Sequence, residues 1–364
     1  MRHIDEFTMH RFRGIRDLKL EGLGQINLLV GNNNSGKTSV LEALSIFCDP
    51  VDARTWLDVA SMREVLVGPH SGLIDQIMWL FPQGKDNKGI ISPEILFSAS
   101  GGFPLKEVSA KYERFSEIDS NRGAGYKEYE GIKVLVSTLM MSGKKDSSIH
   151  TYYDNRPTII NDEFFPDINS SYTRSFRSIP TQIINVVSHR LSGLSPRLWS
   201  GVVEADLKLE TIELLRFFDP DIQDVDIISP TEQRSMISVK HKKLGRVPLS
   251  AFGDGLRRMF TLASAIPTVK EGLLLVDELE TAIHTRALEK AFDWLVKTCV
   301  QNNVQLFATT HSLETVDAVL DAGGGDVDLV TYRLQNGEDQ TTAKRFNKKL
   351  LARLRENLGQ EVRW

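Results

Sequence analysis

Only two cysteines, Cys48 and Cys299, occur among the 364 residues. That leaves no disulfide framework, and neither has a second cysteine nearby to build a metal knuckle. The formal net charge is −4, so no global basic field marks the chain as a nucleic-acid binder, although local basic patches are still open. No apolar run approaches the ~18 residues of a membrane span, and the opening "MRHIDEFTMHRF" is too polar for a signal peptide. Sustained heptads are missing too, which excludes long coiled-coil arms. The expectation is a soluble cytoplasmic chain with enough length for about two domains' worth of core.

What the chain does have is "GNNNSGKT", residues 31 to 38. Gly31, Gly36, Lys37 and Thr38 occupy the fixed places of G-x-x-x-x-G-K-[ST]. This frame turns backbone N–H groups inward around phosphate oxygens, sends a lysine to the β/γ oxygens and offers a hydroxyl to Mg²⁺. Asn32, Asn33 and Asn34 suit such a loop because asparagine enters left-handed geometry more readily than most residues. The flanks agree with the motif. "QINLLV" before it reads as a short buried strand. "TSVLEALSIF" after it places Val40, Leu41, Leu44 and Phe47 at helical spacing, so phosphates would meet Ser35, Ser39 and the N–H groups of a helix start.

A second strand-to-loop junction lies at "EGLLLVDELE". The aliphatic run Leu273 to Val276 suits a buried parallel strand, and the acids Asp277 and Glu278 close it in the Walker B pattern. Asp277 is expected to hold Mg²⁺ with Thr38, and Glu278 to orient or deprotonate the attacking water. A third junction, "NVQLFATTHSLETV", alternates Val304, Leu306 and Ala308 before Thr309, Thr310, His311 and Ser312. His311 is placed to hydrogen-bond a γ-phosphate and sense its departure.

Between the first two motifs sits "PLSAFGDGLRRMFTLASAI", a turn-rich stretch opening a helix with Leu256, Met259, Phe260 and Ala263 on one face. Gly253, Asp254 and Gly255 present further backbone N–H groups at that helix start. The chain's own P-loop does not reach this second anion site if the helix lies across the domain. A dimer in which each glycine turn closes over the other chain's ATP solves the problem. This order of motifs points to the ABC-type ATPases and away from AAA+ rings. The absence of N-K-x-D excludes GTPases that read their base with it.

These stretches resemble a known group. "MHRFRGIRDLKLEGLGQINLLVGNNNSGKTSVLEAL" is similar to the opening of ABC-type ATPases related to the OLD proteins, the RecF repair ATPase and SMC heads. "FGDGLRR", "DELETAIHT" and "FATTHS" look most like the OLD-related branch, including ATPase subunits of phage-defence systems such as Septu and PARIS. The resemblance implies Lys37 and Thr38 on phosphates and Mg²⁺, Asp277 on the metal, Glu278 on the water and His311 as γ-phosphate switch. It also implies His284 at a dimer seam. One departure is that Gly253 stands where the class carries a serine. The class also uses a glutamine to sense Mg²⁺, for which Gln76, Gln83 and Gln182 stand as equal candidates.

The implied fold is α/β, a P-loop core with an ABC-type head, an antiparallel strand subdomain and a helical lobe. We expect one head over residues 1–364: a P-loop lobe with a strand-rich insert at 1–184, a helical lobe with the glycine turn at 185–260, and the remainder at 261–364. Strands are expected at "EVSAKYERF", "GIKVLVSTLMM" and "SIHTYYD", broken by "NRGAGY" and "SGKKDSS". An amphipathic helix is expected over "EADLKLETIELLRFF". Full OLD nucleases continue into a Toprim domain that this sequence does not show, and the D-x-D at Asp326 and Asp328 precedes an edge-strand pattern, "LVTYRL". The expected partners are a second copy of the chain, in a dimer or higher assembly, and a separate effector such as a nuclease. Nucleic acid stays open: "KHKKLGR" reads as a basic hairpin tip, and Lys344, Arg345, Lys348, Lys349, Arg353 and Arg355 crowd the expected C-terminal helix. The alternative function is RecF-like DNA repair.

Overall fold

The computed structural model describes residues 2–63, 72–83, 94–119, 127–141, 148–153, 158–160, 163–165, 178–191, 194–231, 234–324, 327–337 and 340–357. The chain begins with a hairpin of β1 (Glu6–Phe12) and β2 (Ile15–Glu21). β1 buries Phe7 and Met9 in alternation, and a register shift between Met9 and Arg11 then brings Phe12 to the same core. Next come β3 (Ile26–Gly31), α1 (Lys37–Cys48), α2 (Ala53–Ser61) and α3 (Leu73–Met78). β4 (Glu94–Ser100), β5 (Leu105–Asp119), β6 (Lys127–Met141), β7 (Ser148–Tyr153), β8 (Thr158–Ile160) and β9 (Glu163–Phe165) join the first hairpin. Together they form an eight-stranded sheet in the order β2-β1-β4-β5-β6-β8-β9, with β7 also on β6. The expected strands lie in β5, β6 and β7, while "NRGAGY" and most of "SGKKDSS" fall outside the described residues.

The rest of the chain runs through β10 (Thr181–Ile184), α4 (Leu194–Glu204), α5 (Lys208–Phe218), β11 (Ile222–Thr231), β12 (Arg234–His241), β13 (Gly245–Pro248) and α6 (Asp254–Thr268). It continues with β14 (Leu273–Val276), α7 (Thr285–Gln301), β15 (Gln305–Thr309), α8 (Leu313–Asp321), β16 (Leu329–Asn336), β17 (Thr341–Asn347) and α9 (Lys348–Ala352). A six-stranded sheet takes the order β10-β14-β15-β3-β16-β17, parallel throughout except for β17. Its central strands are buried on both faces and mostly aliphatic, as a covered parallel sheet requires. Leu29, Leu273, Leu275 and Phe307 point into one core with α1 and the eight-stranded sheet. Leu28, Val30, Leu274, Val276, Leu306 and Ala308 point the other way, toward α6, α7 and α8.

α1 is therefore enclosed nearly all round, and Glu42 within it is fully buried. Arg13 and Arg63 both reach its carboxyl group at 2.8 Å, so the buried group is paired. A third core joins α4, α5 and α6 to the small sheet β11-β12-β13, with Trp199 stacked on Phe260 at 5.2 Å. The lobe read from sequence as helical thus carries a three-stranded sheet on its helices.

Three local expectations need correction. The helix expected from Glu204 begins at Lys208, because Asp206 takes φ +57° and ends α4 in a left-handed turn. "LVTYRL" is no edge strand: β16 lies between β3 and β17. Lys344 and Arg345 sit on β17 rather than on the final helix. All five residues of β15 are buried. Asp326 falls outside the described residues, and Asp328 pairs with Arg2 at 2.7 Å.

Candidate functional site

The carboxyl ends of β3, β10, β14 and β15 meet at one edge of the parallel sheet, where ligands of open α/β sheets sit. After β3 the chain turns through "NNNS" into α1, with Gly31 at φ +143°, Asn34 at +62° and Gly36 at +91°. A Cβ at Gly31 would lie 2.5 Å from the Leu334 carbonyl oxygen, and one at Gly36 would lie 2.8 Å from Ile15 Cδ1. Gly31 therefore requires glycine on steric as well as conformational grounds, and Gly36 chiefly for its positive φ, since the end of the Ile15 side chain can shift. Lys37 is 6% exposed, and its ammonium donates to the carbonyls of Gly31 at 2.9 Å and Asn32 at 2.8 Å. Burial pulls its pKa down, against the carboxylates of Asp277, Glu278 and Glu280, which hold it up.

Thr38, next along α1, donates its hydroxyl to the Asp277 carboxylate, with contacts of 3.2 and 3.1 Å. One hydroxyl and one carboxylate at this spacing form an oxygen donor set suited to a hard divalent cation that keeps most of its waters. Glu278 takes φ +45°, a strained position for a residue with a side chain, and strain of this kind gathers at functional sites. Its backbone N–H donates to Thr309 Oγ1 at 2.8 Å, and its own carboxylate accepts from Thr281 at 3.1 Å. The N–H of His311 donates to Glu280 at 2.9 Å, which ties the third loop to the second.

A cavity of 650 Å³ opens over these groups. Asn33, Asn34, Ser35, Gly36, Lys37, Thr38, Ser39, Asp277, Glu278 and His311 all line it. Gly31 and Asn32 do not, and serve instead through the carbonyls that hold Lys37. Gly253, Asp254 and Gly255 are also absent from its wall. Gly253 caps α6 without a side-chain hydrogen bond and has no heavy atom within 4 Å of a would-be Cβ. Gly255 differs: its Cβ would fall 2.8 Å from the Ala282 carbonyl oxygen, in the turn after Walker B of the same chain. His284 is exposed and caps α7 by accepting the Arg286 N–H.

Several residues of the site escaped the sequence reading. None of Gln76, Gln83 and Gln182 lines the cavity, whereas Asn185, Val186 and Val187 do, just beyond β10. Met62 and Arg63 close another side, with Arg63 bonded to Ser39 at 3.0 Å as well as to Glu42. Arg258 is fully buried on α6 and donates to the carbonyl oxygens of Asn185, Asp277 at 2.8 Å and Glu278 at 3.2 Å. Burial brings its pKa down to about 10, which leaves it charged at neutral pH. "FGDGLRR" contained the signal, but two adjacent arginines gave no way to tell which one faces inward.

Elsewhere some of the basic residues are paired with acids. The basic hairpin tip exists as β12-β13, but Lys243 pairs with Asp221 at 2.5 Å and Arg246 with Asp226 at 2.8 Å. Arg355 pairs with Asp317, and Lys348 donates to the Gly324 carbonyl. Asp219, Asp221 and His241 gather their ligand atoms within 4.8 Å. The His241 Nδ1, however, accepts the N–H groups of Lys243 and Leu244, so its lone pair is not free for a cation, and Nε2 faces Asp219 at 3.4 Å. No helix among the described residues is long and apolar enough to cross a membrane.

A P-loop strand, an acid-tipped strand and a third strand between them, joined to an antiparallel sheet and a helical lobe, define a P-loop ATPase of ABC-like, SMC-head type. The chain belongs to the family described as "AAA domain, putative AbiEii toxin, Type IV TA system", whose pattern matches residues 96–317. A second pattern, "AAA ATPase domain", matches residues 3–164. An "ATP/GTP phosphatase" of Helicobacter pylori is 25% identical over 353 residues, covering 86% of each chain. Among solved structures, an SMC head bound to the C-winged helix domain of ScpA superposes with a TM-score of 0.52 at 11% identity, covering 95% of this chain and 98% of that one. An Smc head with an extended coiled coil, bound to the C-terminal domain of ScpA derived from Pyrococcus furiosus, gives 0.50 at 10% identity, covering 99% and 100%. At such identities the likeness establishes the fold.

Proposed function

We propose that this protein is an ATP-gated dimeric switch that holds or releases a separate effector chain in anti-phage defence. Lys37 binds the β/γ oxygens, Glu278 orients the attacking water and His311 reads the γ-phosphate. The N–H groups at Gly253 to Gly255 serve the ATP of a second chain. Thr38 and Asp277 would hold Mg²⁺, which supplies charge neutralisation at the β and γ oxygens when bound. The observation that carries this reading is the convergence of Lys37, Thr38, Asp277, Glu278 and His311 on one cavity while the Gly253 turn stays off its wall. That leaves the glycine turn to another chain's nucleotide. The only covalent change such a site makes is on ATP, so a biological output needs a second component.

The toxin and toxin–antitoxin wording of the family supports a defence setting, and the name of the Helicobacter pylori relative supports nucleotide hydrolysis. The rival reading is a RecF-like ATPase acting on DNA; acid pairing of Lys243 and Arg246 lowers the basic charge of the β12-β13 tip, while Lys240 and Lys242 stay exposed there. Steady-state ATPase with and without duplex DNA separates the two: strong stimulation by duplex would favour repair. Glu278→Gln tests the switch itself. It should bind ATP, hydrolyse roughly 10²-fold or more slowly, and accumulate as an ATP-dependent dimer in light scattering. Normal turnover in that variant would remove Glu278 from the chemistry.

A further inference from the structure

We propose that Arg190 is a phosphate ligand acting in trans: when two chains close around ATP, its guanidinium leaves Asp254 for the γ-phosphate held by the other chain's P-loop. This rests on the two-chain reading above and adds a residue that no motif contains.

Arg190 ends the short helical turn Ser188–Arg190 that follows the cavity wall at Asn185 to Val187. Its side chain is 54% exposed and bonds the Asp254 carboxylate at the N-terminus of α6. That single carboxylate also accepts from Arg257 at 3.0 Å and lies 3.7 Å from His189 Nε2. The His189 side chain is 2% exposed, and neither of its ring nitrogens has a hydrogen-bond partner. His189, Arg190 and Arg257 together line a cavity of 130 Å³ beside the glycine turn. Two guanidinium groups against one carboxylate leave an excess positive charge, and the helix N-terminus adds to it.

Asp254 thus occupies the place of an anion with less charge than the site can take. A phosphate terminus, carrying more charge and three acceptor oxygens, competes for the same donors and fits the planar fork of arginine. The approach is open, because nothing lies within 4 Å of a Cβ built at Gly253, which itself offers no side chain. Arg190 does not line the cavity of its own P-loop, which favours a nucleotide held by another chain.

The test begins with turnover. Arg190→Ala should lower ATP hydrolysis by roughly 10³-fold, the range for arginines that neutralise a transferring phosphoryl group, while Arg190→Lys should keep part of it. Undiminished turnover in Arg190→Ala overturns the proposal. Direction of action is then read by labelling, independently of turnover. A chain carrying both Arg190→Cys and Lys37→Ala is mixed with chains whose P-loop is intact and loaded with an ATP analogue bearing a thiol-reactive group on the γ-phosphate. The native thiols, Cys48 and Cys299, are buried and do not compete. Labelling at position 190 of the chain without Lys37 is the expected result. Its absence, with mixed dimers present in light scattering, overturns the trans assignment. Wild-type chains that never dimerise with ATP would instead overturn the two-chain reading beneath it.

Discussion

The hydroxyl of Thr309 donates to the Asp277 carboxylate at 2.6 Å while accepting the Glu278 N–H at 2.8 Å. One side chain from β15 therefore fixes both acids at the end of β14. Thr309→Val keeps the volume and removes the hydroxyl, leaving the Glu278 N–H without that acceptor and the Asp277 carboxylate with Thr38 alone of the two hydroxyls. It should cost about 1–3 kcal/mol in urea unfolding and lower ATP turnover, while Thr309→Ser restores both. Wild-type turnover in the valine variant would show that the acids hold their geometry without this bond.

The two glycines of the α6 turn should respond in opposite ways. Gly253 sits at the helix N-cap in open space, so Gly253→Ser is accommodated and should gain a few tenths of a kcal/mol from a side-chain cap. Gly255→Ala forces a methyl to within 2.8 Å of the Ala282 carbonyl oxygen and should displace the turn after Walker B. Thermal melts and hydrolysis rates of the pair make the comparison. Equal behaviour would mean that the Gly255 approach is not needed.

Arg258 bridges three backbone carbonyls from two strand ends, at Asn185, Asp277 and Glu278. Arg258→Met fills similar space but leaves these acceptors unpaired in the interior. A loss of about 3 kcal/mol or more in denaturant unfolding is expected, with slower hydrolysis because the backbone under Glu278 relaxes. Unchanged unfolding would show that water satisfies the carbonyls equally well.

Asp49 lies at the C-terminal end of α1, where burial pushes its carboxyl pKa up to about 6 and Asp52 adds repulsion. The folded state then binds the extra proton between about pH 4 and about pH 6, so stability falls as pH rises through that window. Asp49→Asn removes the charge that is unfavourable at neutral pH, on the order of 1–3 kcal/mol, and the advantage should shrink toward pH 4. Melting curves at pH 4 and pH 7 read the difference directly. A pH-independent gain would point to helix capping rather than titration.

The phosphate loop and both later strand ends were legible in the sequence because each is a local event. A glycine frame, an aliphatic run and a following helix period specify backbone geometry within about a dozen residues. The sequence also marked the loop as one that takes positive φ, since glycine and asparagine tolerate it, but left three asparagines open where the structure places it at Asn34 alone of them. It misplaced the start of α5 because the left-handed turn at Asp206 depends on a single residue inside an otherwise helical pattern.

Only the tertiary structure decided what meets across the sheet. The choice of Asn185 over three glutamines follows from which residue β10 delivers to the cavity, a matter of register against β14. That Arg258 points inward while Arg257 holds Asp254 follows from the rotation of α6 about its axis, fixed by Met259 and Phe260 in two different cores. The sequence alone determined the kind of phosphate chemistry, because short-range backbone geometry encodes it. Long-range packing assigned the supporting charges, because a buried guanidinium takes its place from the carbonyls that fold around it.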